Sequence, residues 1–168
     1  MLTYPYRMEK SDTMEKIKII IKILENEGRF KETKNFIQHG DVSVYEHSVL
    51  VAKKSLELAD KLKIDLDEEA IIKGALLHDY FLYDWHEKDN SHRLHGFFHP
   101  QKSLKNAKKD FEISEIEEDI IKKHMFPLTL IPPKTKEAWI VCIADKICAI
   151  KETIKPRYNK IKEILINN

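Results

Sequence analysis

The chain has 168 residues, enough for one domain with a sizeable core. Charged residues make up 34% of it, and its 29 lysines and arginines nearly match its 28 aspartates and glutamates. This balance argues against a nucleic-acid or membrane surface, which usually needs a net positive patch, and leaves small anionic molecules as candidate partners.

The amino terminus is polar, and no apolar run has the length of a membrane span or the context of a secretory signal. The two cysteines, Cys142 and Cys148, lie in one apolar helical pattern at a spacing that does not favour a disulfide between them. Free thiols are typical of a reducing compartment. We therefore expect a soluble cytoplasmic protein.

Almost every segment has helical periodicity, and glycine occurs only four times. N-caps are predicted at Ser11-Asp12, at Asp65 or Asp67, and at Ser114. Pro100 is expected in the first turn of a helix and Pro156 at a break between two helices. The predicted helices cover about 12–27, 42–62, 65–79, 100–111, 114–124 and 137–154, with a short charged helix after Pro156. This pattern predicts an all-α single domain, 1–168, with about seven or eight helices.

Six titratable residues fall on the apolar faces or at the starts of five predicted helices. Burying an isolated imidazole or carboxylate costs several kcal/mol, so the six are best satisfied if they meet. Any one of them alone is explained as a satisfied core polar group; the joint pattern predicts a metal site, because divalent cations prefer these donors. The six are His47, His78, Asp79, His99, His124 and Asp145.

The ordered set H…HD…H…H…D, in its helical context over 42–151, resembles the HD-domain superfamily of metal-dependent phosphohydrolases. The sequence segments that show this resemblance are YEHSVLVAKKSLELA, ALLHD, HPQKSLKNA and IADKICAI. The ligand order also resembles that of the dinuclear branch, which includes the HD-GYP proteins. The resemblance implies an HD-type helical bundle with a motif core at 42–151. The helical segment within 1–32 lies outside that region, and we expect it to cover the core rather than form a dimer face.

The resemblance also implies two metal ions that share one carboxylate. The first ion would be held by His47, His78, Asp79 and Asp145. Asp79 would bridge to a second ion, held by His99 and His124. The donor types suit Fe, Mn, Zn, Ni and Mg, so the metal stays open.

The implied reaction is hydrolysis of a phosphate ester, such as a nucleotide, by a hydroxide that bridges two divalent metal ions. Asp79 is the expected catalytic carboxylate, and His86 is the candidate general acid, with Asp84 and His95 as alternatives. The sequence Tyr80-Phe81-Leu82 replaces the Ile-Gly-Lys of HD-GYP proteins, and no Gly-Tyr-Pro triplet occurs. Hydrolysis of a cyclic dinucleotide is therefore not expected.

Lys146 and Lys102 are the candidate ligands for the substrate phosphate, with Arg93 as an alternative. A second set of side chains flanks the candidate metal ligands and is expected either to wall an apolar pocket or to pack in the core. These are Trp85, Phe97, Phe98 and Phe126. Three histidines in polar surroundings, His39, His92 and His95, are expected at the surface.

Two other functions fit the same residues. Some HD-type proteins hold a mixed-valent di-iron centre and activate O₂, and ligand identity does not separate that oxygenase from a hydrolase. The third alternative is a non-catalytic binding or sensor module in which the metal only staples the fold.

Overall fold

The computed structural model describes residues 10–86 and 95–166. Within them, a 3₁₀ helix at Phe30–Asn35 and an antiparallel hairpin of β1 (Ile37–His39) and β2 (Val42–Ser43) join the first two of six α-helices. The α-helices are α1 (Lys10–Glu27), α2 (Val44–Leu62), α3 (Glu68–Leu77), α4 (His95–Asp110), α5 (Glu115–Lys123) and α6 (Lys136–Ile166). The prediction of an all-α, HD-type bundle is confirmed.

Side-chain caps fix where three helices begin. Ser43 and Glu46 form a capping box at the start of α2, and Ser114 and Glu117 form another at α5. The Asp67 carboxylate accepts from the Ala70 amide, so Asp67, not Asp65, caps α3. The α2 helix begins two residues later than predicted, because 42–43 pair with β1 across a turn.

Pro100 and Pro156 both lie elsewhere in their helices than predicted. The α4 helix begins at His95, so Pro100 lies inside it, and α6 continues past Pro156 to Ile166. Proline lacks a backbone N–H and so removes one hydrogen bond of the helix. The helix can continue through it when packing or residues of high helix propensity stabilise the neighbouring turns. Pro100 is buried, and Gly96 in the preceding turn packs close to Leu128, so tertiary contacts extend α4 toward its amino terminus.

The α3 helix lies at the centre of the bundle and packs against all five other α-helices. Its apolar residues, such as Ile71, Ile72 and Leu76, are fully buried. Ile17 and Leu24 of α1 belong to the same buried cluster, so the amino-terminal helix covers the core as expected. The His78-Asp79 pair at the end of α3 therefore lies in the interior.

Among the residues described, no helix combines the length and the apolar character needed to cross a membrane.

Candidate metal centre

All six titratable residues predicted on inward faces are buried, and they converge at one point. Their exposed fractions lie between 0% and 7%. His78 and His124 are the C-caps of α3 and α5, and Asp79 follows His78 at the end of α3. The others lie within helices: His47 in α2, His99 in α4 and Asp145 in α6.

One set of donors, here called the inner group, comprises His47, His78, Asp145 and the Oδ2 atom of Asp79. His47 Nε2 lies 3.1 Å from Asp145 Oδ1 and 3.8 Å from Asp79 Oδ2. His78 Nε2 lies 3.1 Å from Asp79 Oδ2 and 3.6 Å from Asp145 Oδ1. Two imidazole nitrogens and two carboxylate oxygens therefore face a common centre.

A second set, the outer group, comprises His99, His124 and the Oδ1 atom of Asp79. Asp79 Oδ1 lies 3.0 Å from His99 Nε2 and 3.5 Å from His124 Nε2. The two imidazole Nε2 atoms are 2.8 Å apart. Asp79 thus turns one carboxylate oxygen toward each group, which is the arrangement of a bridging ligand.

Hydrogen bonds at Nδ1 orient three of the imidazoles. His78 Nδ1 donates to the Ala75 carbonyl at 2.6 Å, and His124 Nδ1 donates to the Ile121 carbonyl at 2.8 Å. Because a carbonyl only accepts, each Nδ1 carries the proton and each Nε2 is left to face the centre. His47 Nδ1 instead bonds to the Glu152 carboxylate at 2.9 Å. A hydrogen-bond partner at the ring nitrogen that does not face the metal is typical of metal-binding histidines.

A close approach of α3 and α5 brings the two C-cap histidines together. Gly74 allows it, since a Cβ atom there would lie 2.7 Å from Ile120 Cδ1. His78 lies one helical turn after Gly74, and His124 lies one turn after Ile120. The ring centroids of the two histidines are 4.8 Å apart. The glycine therefore links helix packing to the position of two donors.

The segment after the His78-Asp79 pair is fixed to α4 rather than free to reach a ligand. The Tyr80 hydroxyl donates to Asp110, which also accepts from Arg29. Asn106 Nδ2 donates to the carbonyls of Tyr80 and Phe81. The side chain of Tyr80 is fully buried. Tyr80 and Phe81 are therefore held by structural contacts, and the position where HD-GYP proteins have the lysine is occupied by Leu82, which is partly buried against the core.

When no metal is bound, protons on the buried histidines stabilise the cluster. Burial lowers the pKa of His47, but hydrogen bonds to Asp145 and Glu152 outweigh burial and raise it to about 9. Burial is likewise outweighed at His78, where the Asp79 charge and bonding to Asp145 hold the pKa well above its usual value. Burial also opposes ionisation of Asp79, but the His78 charge and its histidine partners hold that pKa well below its usual range. Burial lowers the pKa of His124, which favours its neutral imidazole.

The donor set fits divalent cations. His78 Nε2 and Asp79 Oδ1 are buried and form no hydrogen bond of good geometry within the described residues, although other atoms of the cluster lie 3.0 to 3.6 Å from them. Such buried orphan atoms are rare in native proteins and often mark an ion. A neutral His124 directs an Nε2 lone pair at His99 Nε2, a contact that a shared cation would stabilise. In the described part of the chain, three groups of possible ligands have their donor atoms within 4.8 Å of one another: His47, His78 and Asp79; Asp79, His99 and His124; and His39, His47 and Glu152.

A cavity of about 650 Å³ opens beside the cluster. Four cluster residues belong to its lining, whereas the fully buried His47 and His78 are not among the described lining residues. The cluster residues in its lining are Asp79, His99, His124 and Asp145. Its other described lining residues are polar at Gln38, His39 and Lys146, and otherwise Trp85, Gly96, Met125, Pro127, Leu128 and Ala149.

The predicted phosphate ligands differ in position. Lys146 lines the cavity, and its Nζ donates to the His124 carbonyl at 2.6 Å and to the Cys142 carbonyl at 3.3 Å. Lys102 Nζ instead lies over the Tyr83 ring, 4.3 Å from its centroid, and Lys102 is not among the described lining residues. Arg93 lies outside the described residues.

The candidate general acids lie toward the surface. His86 Nδ1 is 3.2 Å from Asp84 Oδ1, both side chains are nearly half exposed, and neither belongs to the described cavity lining. The side chain of His95 and all of His92 lie outside the described part of the chain. The role of His86 stays a prediction.

The four flanking aromatic residues, expected either in the core or in a pocket wall, do not share one position. Trp85 lines the cavity, whereas Phe97 and Phe98 are about half exposed and Phe126 packs edge-on against Trp139. Met125, Pro127 and Leu128, from the segment between α5 and α6, contribute to the apolar lining instead. The periodicity of that segment gave no indication of this, because it is not helical.

Sequence reasoning missed three polar neighbours of the cluster. Gln38 is buried and its Nε2 donates to Asp79 Oδ2 at 2.6 Å. His39 is half buried in the cavity lining with its ring 5.4 Å from that of His47, so its expected surface position is wrong. Glu152 lies two helical turns after Asp145 on the same face of α6, and this spacing could have revealed it.

Comparison with known proteins identifies the family. The family model of the HD domain matches residues 44–150, well over half of the chain, so the protein belongs to the HD domain family. No curated protein and no solved structure matches the chain. Membership of this family, together with the buried His/Asp cluster, indicates a metal-dependent function of the hydrolase type.

Proposed function

We propose that the protein is a metal-dependent phosphohydrolase that cleaves a phosphate ester of a small molecule at two divalent ions. The observation that carries the proposal is the division of Asp79, with one carboxylate oxygen in each donor group. A dinuclear site requires a carboxylate between two sets of imidazoles, whereas a core polar network has no such requirement.

The inner group would hold one ion and the outer group the other. When bound, such ions supply water of lowered pKa and neutralise charge on phosphoryl oxygens. The chain's own residues hold the donors in place, because His47, His78 and His124 are each fixed through Nδ1. Burial of the inner histidines excludes bulk water from the far side of the cluster.

The lining of the cavity supports water as the nucleophile. None of its described residues is a serine, threonine or cysteine. Lys146 lies next to Asp145 and supplies positive charge for the substrate phosphate. His39 lines the same cavity and would hydrogen-bond to the ester. Both side chains would orient the phosphate toward the outer group.

The test is phosphate release by anaerobically purified protein reloaded with Fe, Mn, Zn, Ni or Mg. A panel of phosphate esters is assayed with the wild type, with Asp145→Asn, and with Asp60→Asn as a control at an exposed aspartate of α2. We expect turnover of at least one ester by the wild type and the control, and a loss of about 100-fold or more in Asp145→Asn.

Other outcomes would identify the alternatives. Bound iron with a visible absorption band and oxygen uptake, but no phosphate release, would replace the proposal with an oxygenase. Tightly bound metal with no turnover of any ester or of O₂ would indicate a module that the metal only staples.

A further inference from the structure

We infer that the substrate is an organic phosphate whose non-phosphate part is apolar, and that Leu128 is the residue that selects it. This inference rests on the proposed function and specifies its substrate class. It starts from a contrast within the cavity lining, between the donor cluster with Lys146, here called the donor end, and the apolar residues Met125, Pro127, Leu128 and Ala149, here called the apolar end.

The donor end fixes where the phosphate lies. Asp79, His99, His124 and Asp145 belong to this end, and Lys146 follows Asp145 in the chain. Among the described lining residues, Lys146 is the one lysine or arginine, so charge is concentrated beside the cluster. A phosphate bound there directs its organic group toward the other end.

The other end offers little to a polar group. Met125, Pro127 and Leu128 contribute hydrocarbon from the segment between α5 and α6, and Ala149 contributes a methyl group from α6. Hydroxyl groups placed there would lose water without gaining partners. Methylene groups would gain about three- to fourfold in affinity each on full burial.

Leu128 is the distinctive residue of this wall. It lines the cavity, yet 44% of it is exposed, unlike the core leucines. A large exposed apolar side chain inside a cavity, next to a donor cluster, is typical of a contact surface for a ligand. Leu130, two residues later, is 88% exposed and does not belong to the described lining, so it is a matched control.

Gly96 keeps the space in front of Leu128 open. A Cβ atom at Gly96 would lie 3.0 Å from Leu128 Cδ2 and 3.7 Å from Met125 Cε. Any side chain on α4 at this point would therefore displace Leu128 or extend into the cavity. The glycine and the leucine together set the size of the apolar end.

The experiment measures binding of two phosphonates, which are stable mimics of phosphate esters, to the metal-loaded protein by calorimetry. Methylphosphonate reports on the donor end alone, and hexylphosphonate reports on both ends. We expect hexylphosphonate to bind at least about tenfold more tightly in the wild type and in Leu130→Ala. We expect this ratio to fall by about threefold or more in Leu128→Ala and in Gly96→Leu, with methylphosphonate affinity unchanged in Leu128→Ala.

The outcomes separate this inference from the proposed function. Equal affinities for the two phosphonates, or the same loss in Leu130→Ala as in Leu128→Ala, would overturn the apolar selectivity even if the enzyme hydrolyses phosphate esters. Failure of both phosphonates to bind, in protein with full metal content and no phosphate release, would remove the proposed function and the inference with it. Metal analysis and circular dichroism of each variant exclude misfolding as the cause.

Discussion

The inner and outer donor groups share Asp79 but differ in how the fold supports them. The inner group draws on α2, α3 and α6, which pack closely around the core. His47 and His78 are fully buried, and Glu152 and the Ala75 carbonyl hold their Nδ1 atoms. This group has four donors; its two carboxylates line the cavity, and its two histidines are not among the described lining residues.

The outer group has three donors, and its two histidines line the cavity. They come from α4 and from the end of α5, beside the segment that also provides Leu128. The comparison indicates a division of roles under the proposed function, in which the inner group would retain its ion tightly and the outer group would expose a second ion to substrate. Four predictions test this division.

The largest effect is expected from Asp79→Ala, because it removes a donor from both groups at once. Metal content measured by elemental analysis should fall from about two ions per chain to nearly none. Asp84→Ala, at a partly exposed aspartate outside both donor groups, should keep both ions. A variant Asp79→Ala that folds and still holds two ions would show that Asp79 is not the bridge.

The next effect is expected from His99→Ala, which alters only the outer group. It should retain about one ion per chain and lose phosphohydrolase activity by about 100-fold or more. His86→Ala should retain two ions, since its imidazole lies on an exposed turn. Loss of both ions in His99→Ala would contradict the independence of the inner group.

The pH dependence of stability should reverse when metal binds. In metal-free protein the pKa of His47 is raised to about 9 from about 6.5 in the unfolded chain, so its contribution is fully present below pH 6.5 and is lost as pH rises through 9. This contribution is about 3 kcal/mol at most. Metal-loaded protein should instead gain stability as pH rises, because the bound imidazole must be neutral.

Thermal unfolding between pH 6 and pH 9.5, with and without a chelator, measures this reversal. Parallel pH profiles in the two states would mean that cations do not displace the proton of the inner group.

The smallest effect is expected from Glu152→Gln, which keeps the shape of the His47 partner and removes its charge. The affinity of the inner ion should fall by about 10- to 100-fold, since second partners tune a histidine ligand, while the outer ion is little changed. Competition with a chromogenic chelator measures both affinities. Glu57→Gln, at an exposed glutamate of α2, should match the wild type; an equal loss in that control would argue against a specific role of Glu152.

The sequence by itself determined the inward placement of the six titratable residues. Helical periodicity assigns a side chain to the apolar or the polar face whatever the partner helix is, so the burial of His47, His124 and Asp145 followed from spacing alone. The caps at Ser114 and Asp67 were predictable for a similar reason, because a cap acts within one turn of the chain.

Only the tertiary structure decided which atoms meet. The bond from Gln38 to Asp79 joins a short hairpin to the end of α3, and no local pattern relates the two. The start of α4 and the apolar wall at Leu128 depend on how closely two segments approach at Gly96. Periodicity specifies the direction of a side chain within its own helix, whereas distances between helices depend on packing across the whole core.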